Sequence, residues 1–462
     1  MPREREAAPG VQPPPREPIE PIYRRLPRGP HSLEPQQIAA HQRARIRGAM
    51  VEAVVRRGYE RVTVRQVIGL AGVSRRSFYE HFANRHDCFL KTAHTVAGAS
   101  IGAARAACAS EPHDAEAALS AGIEALVAYN LERPAAARLA LVETLRSGEA
   151  GAVVLGEALA SCEGLLGTAL IAIAGRPNDA LPAGIVRALG GALHAMLAAS
   201  LDGERPSGAT ALATEMTAIA RALVPPPGAG PQLSQLLRER ERRSALAAPS
   251  LVGAAPAPPA GVRERLLLSA IRLAALQPVE QLGAAQIADG AGVTVDDFED
   301  LFANRDACLH EALAASAHRL LAIARRAAEL ASDPPQTTRL ALAGMLGELA
   351  TKPHEAHALA LVADRGGPAG WRLRASLDAE LGAALLGALG RAAPPPEAAA
   401  GAFWHTVRAS LLAGRAPLLP AFSDHLAYAL LAPAVGSDAA IEALRGGAAS
   451  VSGAAHGARR SA

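Results

Sequence analysis

The sequence predicts an all-α protein, and three observations carry that expectation. Half of the 462 residues are apolar, and these are mainly Ala and Leu, the strongest helix formers. Aromatic residues make up only 3% of the chain, and few segments show the alternation that a strand requires. Apolar residues recur instead at the three- and four-residue spacing of amphipathic helices. The length suggests two or three domains.

The first well-patterned helix spans about Gln42 to Arg57, with Ile46, Met50, Ala53 and Val54 on one face. Gly58 ends it, and Tyr59 turns the chain inward. Thr63 is a suitable N-cap for a second helix that carries Val64, Val67 and Ile68 inward. Ala71-Gly72-Val73 forms a tight turn in which glycine permits a positive φ. Ser74 then caps a short third helix ending at His81, anchored by Phe78 and Phe82. Asn84 caps a fourth helix, with Asp87 as its capping-box partner.

Two short helices joined by a glycine turn form a helix-turn-helix, whose second helix enters the major groove by its N-terminal residues. Those residues are Ser74, Arg75, Arg76 and Ser77. Arginine can grip guanine with two hydrogen bonds. Thr63, Tyr79, His81 and Arg85 are spaced to hold phosphates, while Val64, Val67, Gly72, Val73, Phe78 and Phe82 supply the core of the unit. Residues 42–91 hold eleven Arg or Lys against four Asp or Glu, a net of +7 in a chain of net charge +3. That is the electrostatic footprint expected for double-stranded DNA.

Sliding the sequence by 220 residues lays 42–91 on 262–311 without a gap, with thirteen identities, nine of them within 71–88. Ala71-Gly72-Val73 falls on Ala291-Gly292-Val293, Phe78 on Phe298, Phe82-Ala83-Asn84-Arg85 on Phe302-Ala303-Asn304-Arg305, and Cys88 on Cys308. Leu139-Ala140-Leu141-Val142 falls on Leu359-Ala360-Leu361-Val362. The reading is two fused copies of one helical domain. The surface positions diverge. Arg75, Arg76, Ser77, Tyr79 and His81 fall on Val295, Asp296, Asp297, Glu299 and Leu301, and the window reverses to −5, with four basic and nine acidic residues. The second copy is therefore expected to fold without binding DNA.

The expected organisation is a proline-rich, charged, disordered arm over 1–35, a DNA-binding unit over 36–91, and a helical sensor and dimerisation bundle over 92–224. A linker over 225–260 follows, then a degenerate helix-turn-helix over 261–311, a second bundle over 312–432, and a frayed tail over 433–462. Arg238 to Arg243 read as a solvated linker helix. The four cysteines are scattered, with no metal-binding or disulfide pattern, and fit a reducing cytoplasm. Cys88 and Cys308 read as small core residues. His194 and His405, on Ala/Leu-rich helices, read as helix-interface residues, and Glu143 as a capped or solvated glutamate. No convergent acid, base or nucleophile points to an enzyme. No apolar run is expected to span a membrane, because the stretch 183–201 is interrupted by Arg187 and His194.

Gly58-Tyr59, Thr63-Val64, Ala71-Gly72-Val73-Ser74 and Phe78-Tyr79-Glu80-His81-Phe82 together resemble the DNA-binding signature of the TetR family of bacterial transcriptional regulators. The resemblance is specific over about fifty residues. It implies an all-helical, dimeric, cytoplasmic protein whose bundle binds a small-molecule effector that releases DNA, repression being the usual outcome. It also implies phosphate contacts at Thr63, Tyr79, His81 and Arg85 and base contacts at Arg75, Arg76 and Ser77. Arg24, Arg25 and Arg28, before the first helix, are candidates for minor-groove contacts. Pairing is expected either between two chains or between the two copies within one chain. Two chains are favoured, because a single half-site is a poor basis for specificity. The competing reading is an interaction protein that captures another TetR-like chain and binds DNA weakly by itself.

Overall fold

The computed structural model describes residues 35–175, 181–203, 208–247, 261–365 and 367–446. The arm with Arg24, Arg25 and Arg28 lies outside the described residues. Every regular element among them is helical. The chain divides into two compact units, Met1–Phe89 and Leu90–Ala462.

In the first unit, helix α1 (Pro35–Arg57) leads through a short turn to α2 (Val64–Ala71) and α3 (Arg75–His81), and α4 (Arg85–Ala109) begins at its end. The predicted core is only partly buried: Val64, Ile68 and Val73 are half-buried and Gly72 is exposed. Ile46, Met50, Val67 and Phe78 are fully buried, with Ala53, Val54 and Phe82 nearly so.

The second unit takes in α5 (Ala115–Glu132), α6 (Pro134–Arg138), α7 (Thr144–Arg146), α8 (Glu149–Ala174), α9 (Ala183–Leu201) and α10 (Ala209–Ala222). It continues with α11 (Gly230–Ala247), α12 (Val262–Leu276), α13 (Ala284–Ala291), α14 (Val295–Leu301), α15 (Arg305–Leu330) and α16 (Pro334–Thr351). The last helices are α17 (Pro353–His357), α18 (Gly367–Leu386), α19 (Pro396–Leu412) and α20 (Ser423–Val435). Local forms recur at the spacing seen in the sequence. α2 and α13 each have eight residues, and α3 and α14 each have seven. α6 and α17 each start on a proline and run into a π-helical turn, Leu139–Glu143 and Ala358–Val362, which contain the aligned Leu-Ala-Leu-Val runs with a one-residue slip.

The expected separation into bundles gives way to one continuous core running from Leu119 to Leu444. α9 and α19 pack along each other. A Cβ on Gly191 would lie 2.6 Å from the carbonyl oxygen of Gly401, so only glycine allows this approach. His405 Nε2 of α19 meets Glu163 Oε1 of α8 at 2.7 Å, and Tyr428 Oη of α20 donates to the Leu223 carbonyl at 3.0 Å. Helices roughly 200 residues apart in the sequence thus share one core.

Two boundary expectations are corrected. The 225–260 linker holds α11, which buries Leu233 and Leu237 and pairs Arg240 with Asp424 at 3.2 Å. Its charged residues concealed an apolar edge. The tail expected from 433 remains helical to Val435, is helical again over 437–446, and buries Ala440, Ile441 and Leu444. The membrane expectation also needs correction. α8, α9 and the stretch Ala416–Val435 are long and apolar enough to cross a bilayer by length and composition. The most apolar windows of the last two are 67% and 56% buried within the protein, whereas that of α8 is 17% buried.

Candidate nucleic-acid interface

The helix-turn-helix is assembled by local hydrogen bonds that its sequence specifies. Thr63 closes a capping box: its Oγ1 accepts from the Gln66 amide at 3.3 Å, while its own amide donates to Gln66 Oε1 at 2.9 Å. Gly72 ends α2 at φ 61°, the left-handed geometry that the turn requires. Ser74 Oγ accepts from the Ser77 amide at 3.0 Å and starts α3. Asn84 and Asp87 cap α4 at 2.9 Å as expected. Arg45 of α1, one of the basic residues of 42–91, is buried. It donates to the carbonyls of Ala71 and Gly72 and clamps the turn from behind.

α3 turns Phe78 into the core, edge-on to Tyr79 and 5.7 Å from the Phe82 ring. Its opposite face carries Arg75, Arg76 and Tyr79 into solvent, with Tyr79 45% exposed. The Arg75 guanidinium lies 5.7 Å from the Tyr79 ring. Arg76 pairs with Glu80 at 3.0 Å while its side chain stays 91% exposed. Such an exposed pair contributes about 0.3–0.5 kcal/mol, so a phosphate or base edge can displace it readily. Thr63 and Ser74 also face solvent.

The remaining expected contacts are placed differently. Ser77 Oγ donates to Gln42 Oε1 at 3.0 Å, and His81 Nε2 lies 3.1 Å from the same oxygen. Both are half-buried and tie α3 to α1. Burial, followed by the charge of Arg43, holds the His81 pKa below its ordinary value. Arg85 departs furthest from expectation. Its Nη1 donates to the carbonyls of Tyr59, Glu60 and Val62 at 3.3, 3.0 and 2.8 Å, and its guanidinium covers the Tyr59 ring at 4.7 Å. It binds the protein's own backbone where a phosphate contact was expected.

The 262–311 segment builds the same frame with a different surface. Phe298 and Phe302 lie 5.6 Å apart at 40°, against 5.7 Å and 40° for Phe78 and Phe82. Arg305 donates to the carbonyls of Val279 and Leu282 at 2.7 and 3.0 Å, the counterpart of Arg85. Thr294 caps α14 and binds Asp297 through both its amide and its hydroxyl, which lowers the Asp297 pKa. Asp296, Glu299 and Asp300 are exposed on the face equivalent to the one that carries Arg75, Arg76 and Tyr79. With Gly283 in the place of Thr63, only the Gln286 half of that capping box survives.

Among the described residues, no group of His, Cys, Asp and Glu is placed to hold a metal ion. Cys88 and Cys308 are fully buried, and burial pushes the Cys308 thiol up to about 12. Glu143 is buried and paired with Arg146, whose guanidinium stacks on Trp371 at 3.9 Å.

Residues 47–92 match the family model of bacterial regulatory proteins, tetR family. The basic helix-turn-helix is thus the part of the chain similar to those regulators, and the match supports a DNA-binding transcriptional regulator. No curated protein matches the chain.

Proposed function

We propose that the protein is a cytoplasmic transcriptional regulator, a ligand-responsive repressor, that inserts α3 into the major groove of its operator. The observation that carries this reading is the outward face of α3. Arg75, Arg76 and Tyr79 project from a short helix whose opposite side is locked into the core. Arg75 and Arg76 read bases. Tyr79, Thr63 and Ser74 hold phosphates, and Arg24, Arg25 and Arg28 follow the minor groove. Ser77 and His81 join only if they leave Gln42. Arg85 acts through the scaffold.

The chain is further proposed to hold two copies of one domain, the second having kept the frame and lost the basic surface. The recurrence of helix lengths, the two π-helical turns and the matching phenylalanine pairs support this. The pairing of α9 with α19 favours an intrachain pseudo-dimer over two chains joined through the same helices. Each chain then presents one reader. A small-molecule effector is part of the reading, and catalysis is not. The exposed apolar face of α8 leaves room for the competing interpretation, capture of another chain, which requires weak DNA binding by the protein alone.

The test is a titration against fragments of the surrounding DNA at several salt concentrations, with the variant Arg75→Ala/Arg76→Ala/Tyr79→Ala alongside. Selection of one fragment by the wild type alone supports the proposal. Equal binding by both proteins, or by neither, overturns it. The mass of the complex separates one reader from two.

A further inference from the structure

A cleft of about 450 Å³ opens between α12, the end of α13 and the junction of α16 with α17. Its volume lies within the usual range for small-molecule sites, about 300–1,000 Å³. Three cationic side chains reach it from two sides: Arg265 and Arg272 from α12, and Lys352 from the α16–α17 junction. The lining carboxylate, Glu355, is already held by Arg319 at 2.7 Å and lies 3.9 Å from Lys352, whose Nζ pairs with Glu348 at 2.6 Å. Arg272 directs one nitrogen to the Gly290 carbonyl at 3.1 Å. Between the cations the wall is apolar, with Leu268 42% exposed.

Ser269 gives the independent sign of a ligand. It is only 3% exposed, and its hydroxyl oxygen is buried without a hydrogen-bond partner. Leaving such a group unsatisfied is costly. A Cβ on Gly290 would come within 2.5 Å of that oxygen and 3.0 Å of Arg272 Nη2, so the glycine keeps this corner open.

At the positions aligned with Ser269, Arg272 and Gly290, residues 42–91 have Ala49, Glu52 and Leu70. The 262–311 segment as a whole has moved from basic to acidic. At the cleft it has moved the other way, gaining an arginine for a glutamate, a hydroxyl for a methyl and a glycine for a leucine.

We infer that this cleft binds a small organic carboxylate with a compact apolar body. The carboxylate sits between Arg272 and Lys352, which exchanges its Glu348 partner for the ligand, in reach of the Ser269 hydroxyl, and the apolar part lies on Leu268. Charge-assisted hydrogen bonds from arginine to a planar carboxylate provide the orientation. Such a ligand would tie the α12–α13 segment to the bundle helices. The inference rests on the chemistry of the cleft alone and stands or falls separately from DNA reading.

The experiment uses the full chain without DNA and the fluorescent anion 8-anilinonaphthalene-1-sulfonate as probe. Cinnamate should displace the probe saturably, and its neutral analogue cinnamyl alcohol should not. Arg272→Glu, which installs the residue of the first segment, and Lys352→Gln, on a different element, should each weaken displacement by about tenfold or more at unchanged helicity and melting temperature. The variants serve as checks on each other should one fold poorly. Displacement by the alcohol as well as by the acid overturns the inference. So does an absence of saturable displacement, or wild-type displacement of the probe in the folded variants.

Discussion

α3 and α14 have the same length, the same serine or threonine cap, the same buried phenylalanine pair and the same arginine anchoring the following helix to backbone carbonyls. They differ on the solvent-facing side. One displays Arg75, Arg76 and Tyr79, the other Asp296, Glu299 and Asp300. The frame of a helix-turn-helix and the charge on its outer face are therefore separable. The frame depends on buried residues and caps, and on the proposed reading, binding depends on solvent-facing charge.

The strongest way to break this comparison is to exchange what is lost. Removing Arg75, Arg76 and Tyr79 together should weaken operator binding by roughly a hundredfold or more, at about 1–3 kcal/mol per base contact. Neutralising Asp296, Glu299 and Asp300 as amides should leave operator affinity within about twofold, because surface substitutions that touch no contact have small effects. Comparable losses in both titrations would mean that the second segment also reads DNA.

The histidines of the paired helices extend the comparison to the bundles. His194 Nε2 lies 3.0 Å from the Leu141 carbonyl oxygen, and burial pushes its pKa down to about 4. His405 faces Glu163, and burial also lowers its pKa. Because the folded values lie below the unfolded ones, the unfolded chain takes up protons first as pH falls. Stability is complete above about pH 6.5 and declines toward pH 4, by about 3 kcal/mol for His194. Urea denaturation at pH 7 and pH 5 should show this fall, and His194→Asn should shrink it. An unchanged pH slope in the variant would remove His194 as its source.

Gly191→Ala and Gly401→Ala examine whether the halves pair through α9 and α19. Each should cost about 1–3 kcal/mol in a denaturant midpoint, because the new methyl meets backbone rather than a flexible side chain. Wild-type midpoints for both would contradict the intrachain crossing. A smaller loss of stability is expected at the matched arginines. Arg85→Ala and Arg305→Ala should each lower stability by about 1–2 kcal/mol, since both donate to carbonyls from partly exposed positions. A flatter salt dependence of DNA binding in Arg85→Ala, without loss of melting temperature, would restore the phosphate role that its position in the sequence suggested.

Much of the reading unit was legible because its rules are local. Thr63, Gly72, Ser74 and Asn84 act within four residues of themselves, and Phe78 and Phe82 announce a buried face by their spacing. Arg85 was misplaced because its acceptors lie 23 to 26 residues away. Ser77 and His81 meet Gln42 across 35 and 39 residues, a contact that no periodicity encodes. Likewise α11 reads as a solvated linker helix because its charges dominate the sequence, while the two leucines that dock it are inconspicuous.

By itself, the sequence determined the helical class, the caps and turn of the reading unit, its basic charge and the acidic reversal 220 residues later. These depend on backbone preferences and on net charge, which act over a few residues or need no geometry. Tertiary structure alone decided that α9 packs on α19 within one chain, that Arg45 and Arg85 serve the scaffold, and that Gly290 leaves a cleft beside Ser269. Ala-rich helices can approach many partners equally well. Which surfaces meet is settled by the packing of the whole core, with local preference contributing little.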